Sequence, residues 1–123
     1  MDRVQMIKGW LADGETHEKV YDLIWSDDRE RDANGRVPPV ANTVDLTNGR
    51  YTNEHGAATL ATVWKDPDFD PDISAFYYVR VIEIPTPRHS LLDALAMGID
   101  PVRTGQPTSL QERAYTSPIH YTP

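Results

Sequence analysis

The segment Ala75-Phe76-Tyr77-Tyr78-Val79-Arg80-Val81-Ile82-Glu83-Ile84-Pro85 limits what this chain can fold into more than any other. Eight of its eleven residues are apolar or aromatic, and Phe, Tyr, Val and Ile all suit a pleated surface. With period two, Phe76, Tyr78, Arg80, Ile82 and Ile84 point one way, and Ala75, Tyr77, Val79, Val81 and Glu83 the other. Both faces are largely apolar, which predicts an interior strand covered on both sides. Pro85 lacks the N–H a ladder needs, so the strand should stop there.

The rest of the chain must supply neighbours for that strand. Val4 to Trp10 alternates, with Val4, Met6, Lys8 and Trp10 on one side and Gln5, Ile7 and Gly9 on the other. Asp13-Gly14 is a strong turn dipeptide, and Thr16 to Trp25 follows as a second strand. Together they predict a hairpin with a loop longer than the tightest kind. Residues 26–39 (SDDRERDANGRVPP) are highly charged and end in Asn34-Gly35 and a proline pair, which predicts a solvated loop. Thr43 to Leu46 has the makings of a short strand. Ala57 to Trp64 is ambiguous, Ala-rich at first and β-like in Thr62-Val63-Trp64; one helical turn feeding a strand fits it. After Pro85-Thr86-Pro87 a short helix is expected over about 90–97, with Ser90 as N-cap, Asp93 three residues on and Gly98 as the stop. Arg113 to Tyr121 reads as a final edge strand bent at Pro118.

With 123 residues the chain is expected to form a single domain, 1–123, with a modest core. Ten prolines and seven glycines favour a mostly β, antiparallel, sandwich-like architecture with long loops over a helical bundle. A net charge of -7 argues against a nucleic-acid or anionic-membrane surface, since those partners need clustered Lys and Arg. There is no Cys, which excludes disulfides and thiolate metal sites. No apolar run approaches the roughly 20 residues of a membrane span, and Met1-Asp2-Arg3-Val4 is no signal peptide, so a soluble chain is expected, with its compartment left open.

Two stretches are candidates for chemistry. Asp66, Asp68, Asp70 and Asp72 alternate in a spacing that invites an ion-binding loop, although Pro71 and Tyr77 stand where an EF-hand needs Gly and Glu. The competing reading is a solvated connector stiffened by Pro67 and Pro71. Arg88 and His89 follow two prolines at a strand end and precede a helix, a rigid corner suited to an anion or to a neighbouring domain. His17, His55, His89 and His120 are scattered without metal-ligand spacing, and a nucleophile elbow, a P-loop and a dinucleotide fingerprint are all missing. No catalytic or metal-binding residue and no cofactor is assigned. Trp10, Trp25 and Trp64 fit a core better than a sugar platform.

Several stretches in order carry a resemblance: Gly9-Trp10, HEKVYDLIWSDDR (17–29), NTVDL (42–46), YTNEHGA (51–57), VWKDPDFDP (63–71), FYYVRVIEIPTPR (76–88) and QERAYTSPIHYTP (111–123). The chain resembles, over nearly its whole length, the C-terminal part of domain-of-unknown-function family 3604. That resemblance implies a C-terminal domain of a longer protein whose N-terminal part looks like a PHP-type metal-dependent hydrolase, with divalent metals held there. Nothing in these residues matches those metal motifs. The partner it implies is the hydrolase-like domain, with self-association of the chain as another use of the same surface. A free-standing binding or assembly module is the alternative.

Overall fold

The computed structural model describes residues 1–123. Its centre is the hairpin of β1 (Arg3–Ala12) and β2 (Glu15–Trp25), with β3 (Ala75–Ile82) added antiparallel on the other side of β1. The hairpin loop is Asp13-Gly14 alone, both at positive φ, closing directly onto the Ala12–Glu15 pair. The longer loop expected from the sequence is therefore corrected to the tightest kind, because Asp-Gly supplies both left-handed residues of a type I′ turn. A bulge between Val4 and Gln5 shifts the register, so Val4 faces Ile24 while Gln5 faces Asp22.

β3 is an interior strand. Along one side it pairs with β1 from Arg3–Ile82 to Trp10–Ala75. Its far side is shared by β6 (Arg113–Tyr115), which pairs with residues 80–82, and β7 (Ile119–Tyr121), which pairs with 75–77. In the gap between them, the Val79 N–H donates to Thr116 Oγ1 and the Thr116 N–H donates to the Val79 carbonyl, both at 3.0 Å. One threonine thus replaces a rung of ladder at the bend before Pro118.

A two-stranded ribbon of β4 (Thr86–Pro87) and β5 (Ser109–Leu110) leads into α1 (His89–Ala96). Ser90 is not its N-cap: Arg88 occupies that position, in extended conformation and without a side-chain cap. The ribbon holds Arg88, whose N–H donates to Thr108 O, so the helix is capped two residues earlier than the sequence predicts. Gly98 ends the helix as expected, at φ 66. A 3-10 turn, Pro101–Thr104, follows. No helix is long and apolar enough to cross a membrane.

Residues 26–74, between β2 and β3, contain no strand or helix. The strand expected at Thr43–Leu46 and the helical turn or strand expected within Ala57–Trp64 are absent. At the first site, side chains displace the ladder: Thr43 Oγ1 bonds both the N–H and the carbonyl of Thr52, and the Asp45 carboxylate takes the Thr47 N–H, the Thr47 hydroxyl and the Asn48 amide. These connections cover the sheet. The register puts Lys8, Lys19, Tyr21 and Tyr77 on one face, where residues 64–70 lie, and Gln5, Asp22 and Arg80 on the other, under residues 29–37. The buried apolar residues are few: Ile7, Val37, Val40, Ala75, Leu91 and Ala94. As many buried residues are polar: Asp2, Arg3, Gln5, Lys8, Asp22 and Ser26.

Candidate functional site

Those buried polar residues form two hubs along β1. At its start, Asp2 is fully buried and its carboxylate receives Arg29 at 2.7 Å, Arg3 Nε at 3.2 Å and Gln111 Nε2 at 2.7 Å. Arg3 also donates to the Val37 carbonyl and, at 2.8 Å, to that of Pro38. Burial pushes the Asp2 carboxyl up, but the Gln111, Arg29 and Arg3 donors together outweigh it and hold it below the usual carboxylate range. Beside it, Asp22 accepts from Gln5 Nε2 (2.6 Å) and the Val37 N–H (3.1 Å), and Gln5 in turn accepts from Arg80 Nε (2.8 Å).

The second hub lies on the opposite face. Lys8 Nζ donates to Asp66 Oδ2 at 2.6 Å and to the Asp68 carbonyl at 2.7 Å, flanked by the Trp10 and Tyr77 rings. The Tyr77 hydroxyl donates to Asp66 (2.8 Å) and that of Tyr21 to Asp68 (2.6 Å), while Lys19 reaches Asp68 at the surface. Trp64 packs against both Tyr21 and Tyr77. Against the upward push of burial, Lys8 and Tyr77 keep the Asp66 carboxyl low; Lys19 and Tyr21 do the same for Asp68. Burial and the neighbouring carboxylate push Tyr77 up to about 12, and burial with Asp68 and Asp66 raises Tyr21 as well.

The hubs decide what the expected ion loop does. Asp66 and Asp68 face lysine ammonium and tyrosine hydroxyl groups, and Asp70 accepts the N–H of Asp72 in a tight turn. The four do not converge, and no group of three or more His, Asp or Glu side chains is arranged to hold a metal ion. Chemically the Lys8 hub is a clamp: its carboxylates are committed and its phenols are held protonated, which leaves neither a base nor a nucleophile. At the other predicted site, Arg88 makes no side-chain hydrogen bond, and the exposed His89 lies 3.4 Å from Asp93.

Open space adjoins these features. A cleft of about 360 Å³ opens beside Lys8, lined by Trp10, Lys19, Asp70, Ile73 and Tyr77. A second, of about 630 Å³, lies at the hairpin end, with His17 and His120 both in its lining but on opposite faces of the sheet, and His17 stacked on Trp10. On the Gln5 face runs an aromatic row, His120, Phe76, Tyr78 and Tyr115, with neighbouring ring centroids 6.1–6.4 Å apart. Gly9 makes the row possible, since any Cβ there would come within 2.3 Å of the Phe76 ring. The hubs were missed in the sequence because charged residues on an alternating strand read as solvent-facing. The available signal was Lys8 itself, a cation between Met6 and Trp10 on an otherwise apolar face.

Fold and site together define a mostly β, antiparallel domain with long, charge-pinned connections and a thin core. The chain belongs to the family described as Protein of unknown function (DUF3604), whose profile matches residues 1–123. No curated protein and no solved structure matches it.

Proposed function

We propose that this chain is an accessory β domain of a longer, PHP-like metal-dependent hydrolase, where it packs on the catalytic domain and helps shape a site whose divalent-metal ligands lie outside residues 1–123. The hydrolase identity of the neighbour rests on the family resemblance. What carries the packing role is surface. The chain exposes 8365 Å², whereas a compact monomer of 13.9 kDa exposes about 6,700 Å². The excess is of the order of a domain–domain interface. Part of it is apolar and lies along the aromatic row: Phe76 and Tyr115, on neighbouring strands of the Gln5 face, are 38 and 56% exposed. Such a patch marks a contact surface.

The test is hydrogen exchange on the isolated chain and on the chain joined to its natural upstream segment. Residues 76–78 and 113–121 should be better protected in the longer protein, and equal protection would remove the aromatic row as the interface. Sedimentation of the isolated chain addresses self-association through the same row. A stable dimer in which Tyr115→Ser restores the monomer would favour an assembly module over an accessory domain.

A further inference from the structure

Along the β2 edge of the sheet, between the Gln5 face and residues 31–37 and reaching round to Tyr21 and Trp64 on the other face, lies the largest hollow described, about 970 Å³. Gln5, Asp22 and Arg80 line it from the strands, and Arg31 and Arg36 from the connection. We infer that this hollow is a binding site for an oxyanion, the phosphate, sulfate or carboxylate group of a small-molecule ligand.

Three guanidinium groups line this space and none has a carboxylate partner. Arg80 is aimed by a relay: Asp22 fixes the Gln5 amide at 2.6 Å and Gln5 Oε1 takes Arg80 Nε at 2.8 Å. Its two terminal nitrogens make no hydrogen bond with protein, so the bidentate edge of the guanidinium is left for a ligand. Arg31 is fixed by neutral acceptors, the carbonyls of Gly35 (2.8 Å) and Asp22 (2.5 Å), and rests on the Trp25 ring at 4.8 Å. Arg36 makes no side-chain hydrogen bond or ion pair. The other cations in the lining are already matched, Arg3 by Asp2 and Asp22 and Lys19 by Asp68. Of the two carboxylates there, Asp22 is occupied by Arg3, Gln5 and the Val37 N–H, which leaves Glu18 against three free cations. In a chain of net charge -7, such a concentration of unneutralised, partly pre-oriented arginine focuses anions into one place. This inference is independent of the accessory-domain reading.

The experiment titrates the full chain with inorganic phosphate, and separately with citrate, at ionic strength held constant with sodium chloride. The readouts are Trp25 fluorescence and the amide resonances of residues 34–37. Saturable shifts are expected with phosphate, citrate or both. Arg80→Met and Arg36→Gln should each weaken binding about tenfold, the loss of one charge-assisted contact. Arg36 has no side-chain partner to lose, so its variant reports on binding even if Arg80→Met disturbs the fold. Arg50→Gln, the same charge change outside the hollow, should leave binding unchanged. A non-saturable response, or equal weakening by Arg50→Gln, would show only general screening and overturn the inference.

Discussion

The two hubs on β1 solve one problem in opposite ways. At Asp2 the buried charge is an acceptor, and its donors arrive from separated parts of the chain: Arg3 beside it, Arg29 from the long connection and Gln111 from the C-terminal segment. At Lys8 the buried charge is a donor, and its acceptors, Asp66 and the Asp68 carbonyl, come from one short run of chain. The first ties three segments together; the second pins one loop. The contrast shows how a domain with six buried apolar residues orders a connection of 49 residues, 26–74. Charge-assisted hydrogen bonds at a few fixed points replace a continuous core. No buried side-chain polar atom is left without a partner.

The largest expected effect is at Asp2. Asp2→Asn keeps the shape but leaves Arg29 without a carboxylate and Arg3 with only Asp22, which should cost about 3–5 kcal/mol in denaturant unfolding. A loss no greater than that of an exposed charge would dissolve the distinction between the hubs. Lys8→Met should cost less, about 2–4 kcal/mol, because Asp66 retains Tyr77 and the Asp68 N–H and can take up a proton. Here the pair can be removed together: Lys8→Met with Asp66→Asn should be less destabilised than the sum of the singles. No single second substitution should rescue Asp2→Asn in that way.

Alkaline pH separates the hubs by chemistry. Tyr77 is raised to about 12 in the folded chain, so its contribution is complete below the unfolded value of about 10 and is lost as pH rises from there through 12. The Asp2 hub contains no tyrosine. Urea midpoints should therefore fall between about pH 10 and 12, and Tyr77→Phe should flatten part of the decline, the rest belonging to Tyr21. At acid pH both hubs fail together, since Asp2 and Asp66 are both lowered. Their stabilisation is complete above about 3.9 and is lost as pH falls through the folded values. The smallest effect is expected at Lys19, half-exposed in its pair with Asp68. Lys19→Ala should leave the thermal midpoint within experimental error, and a clear drop would extend the second hub to the surface.

What the sequence made legible follows from where period-two patterning is strong. β1, β2 and β3 lie where alternation placed them, the helix stops at Gly98, and the last strand breaks at Pro118. Residues 43–52 were not legible because Thr43 and Asp45 satisfy the backbone locally, which no strand propensity records. Asp66 and Asp68 suggested an ion loop by their spacing. Only the fold reveals that Lys8 and Lys19, from the adjacent strands β1 and β2, face them. The arginine-lined hollow was equally hidden, since residues 31, 36 and 80 meet only after the long connection folds back over the sheet.

The break between β6 and β7 has a consequence for life at high concentration. An open sheet edge offers unpaired N–H and carbonyl groups to any passing strand, and long flat edges seed aggregation. This border of the sheet consists of two segments of three residues each, separated by a bend that contains Pro118 and is stitched inward through Thr116. A foreign strand docking along it would find no continuous register to copy. The threonine that completes the ladder of β3 thereby also keeps the sheet from growing at this border.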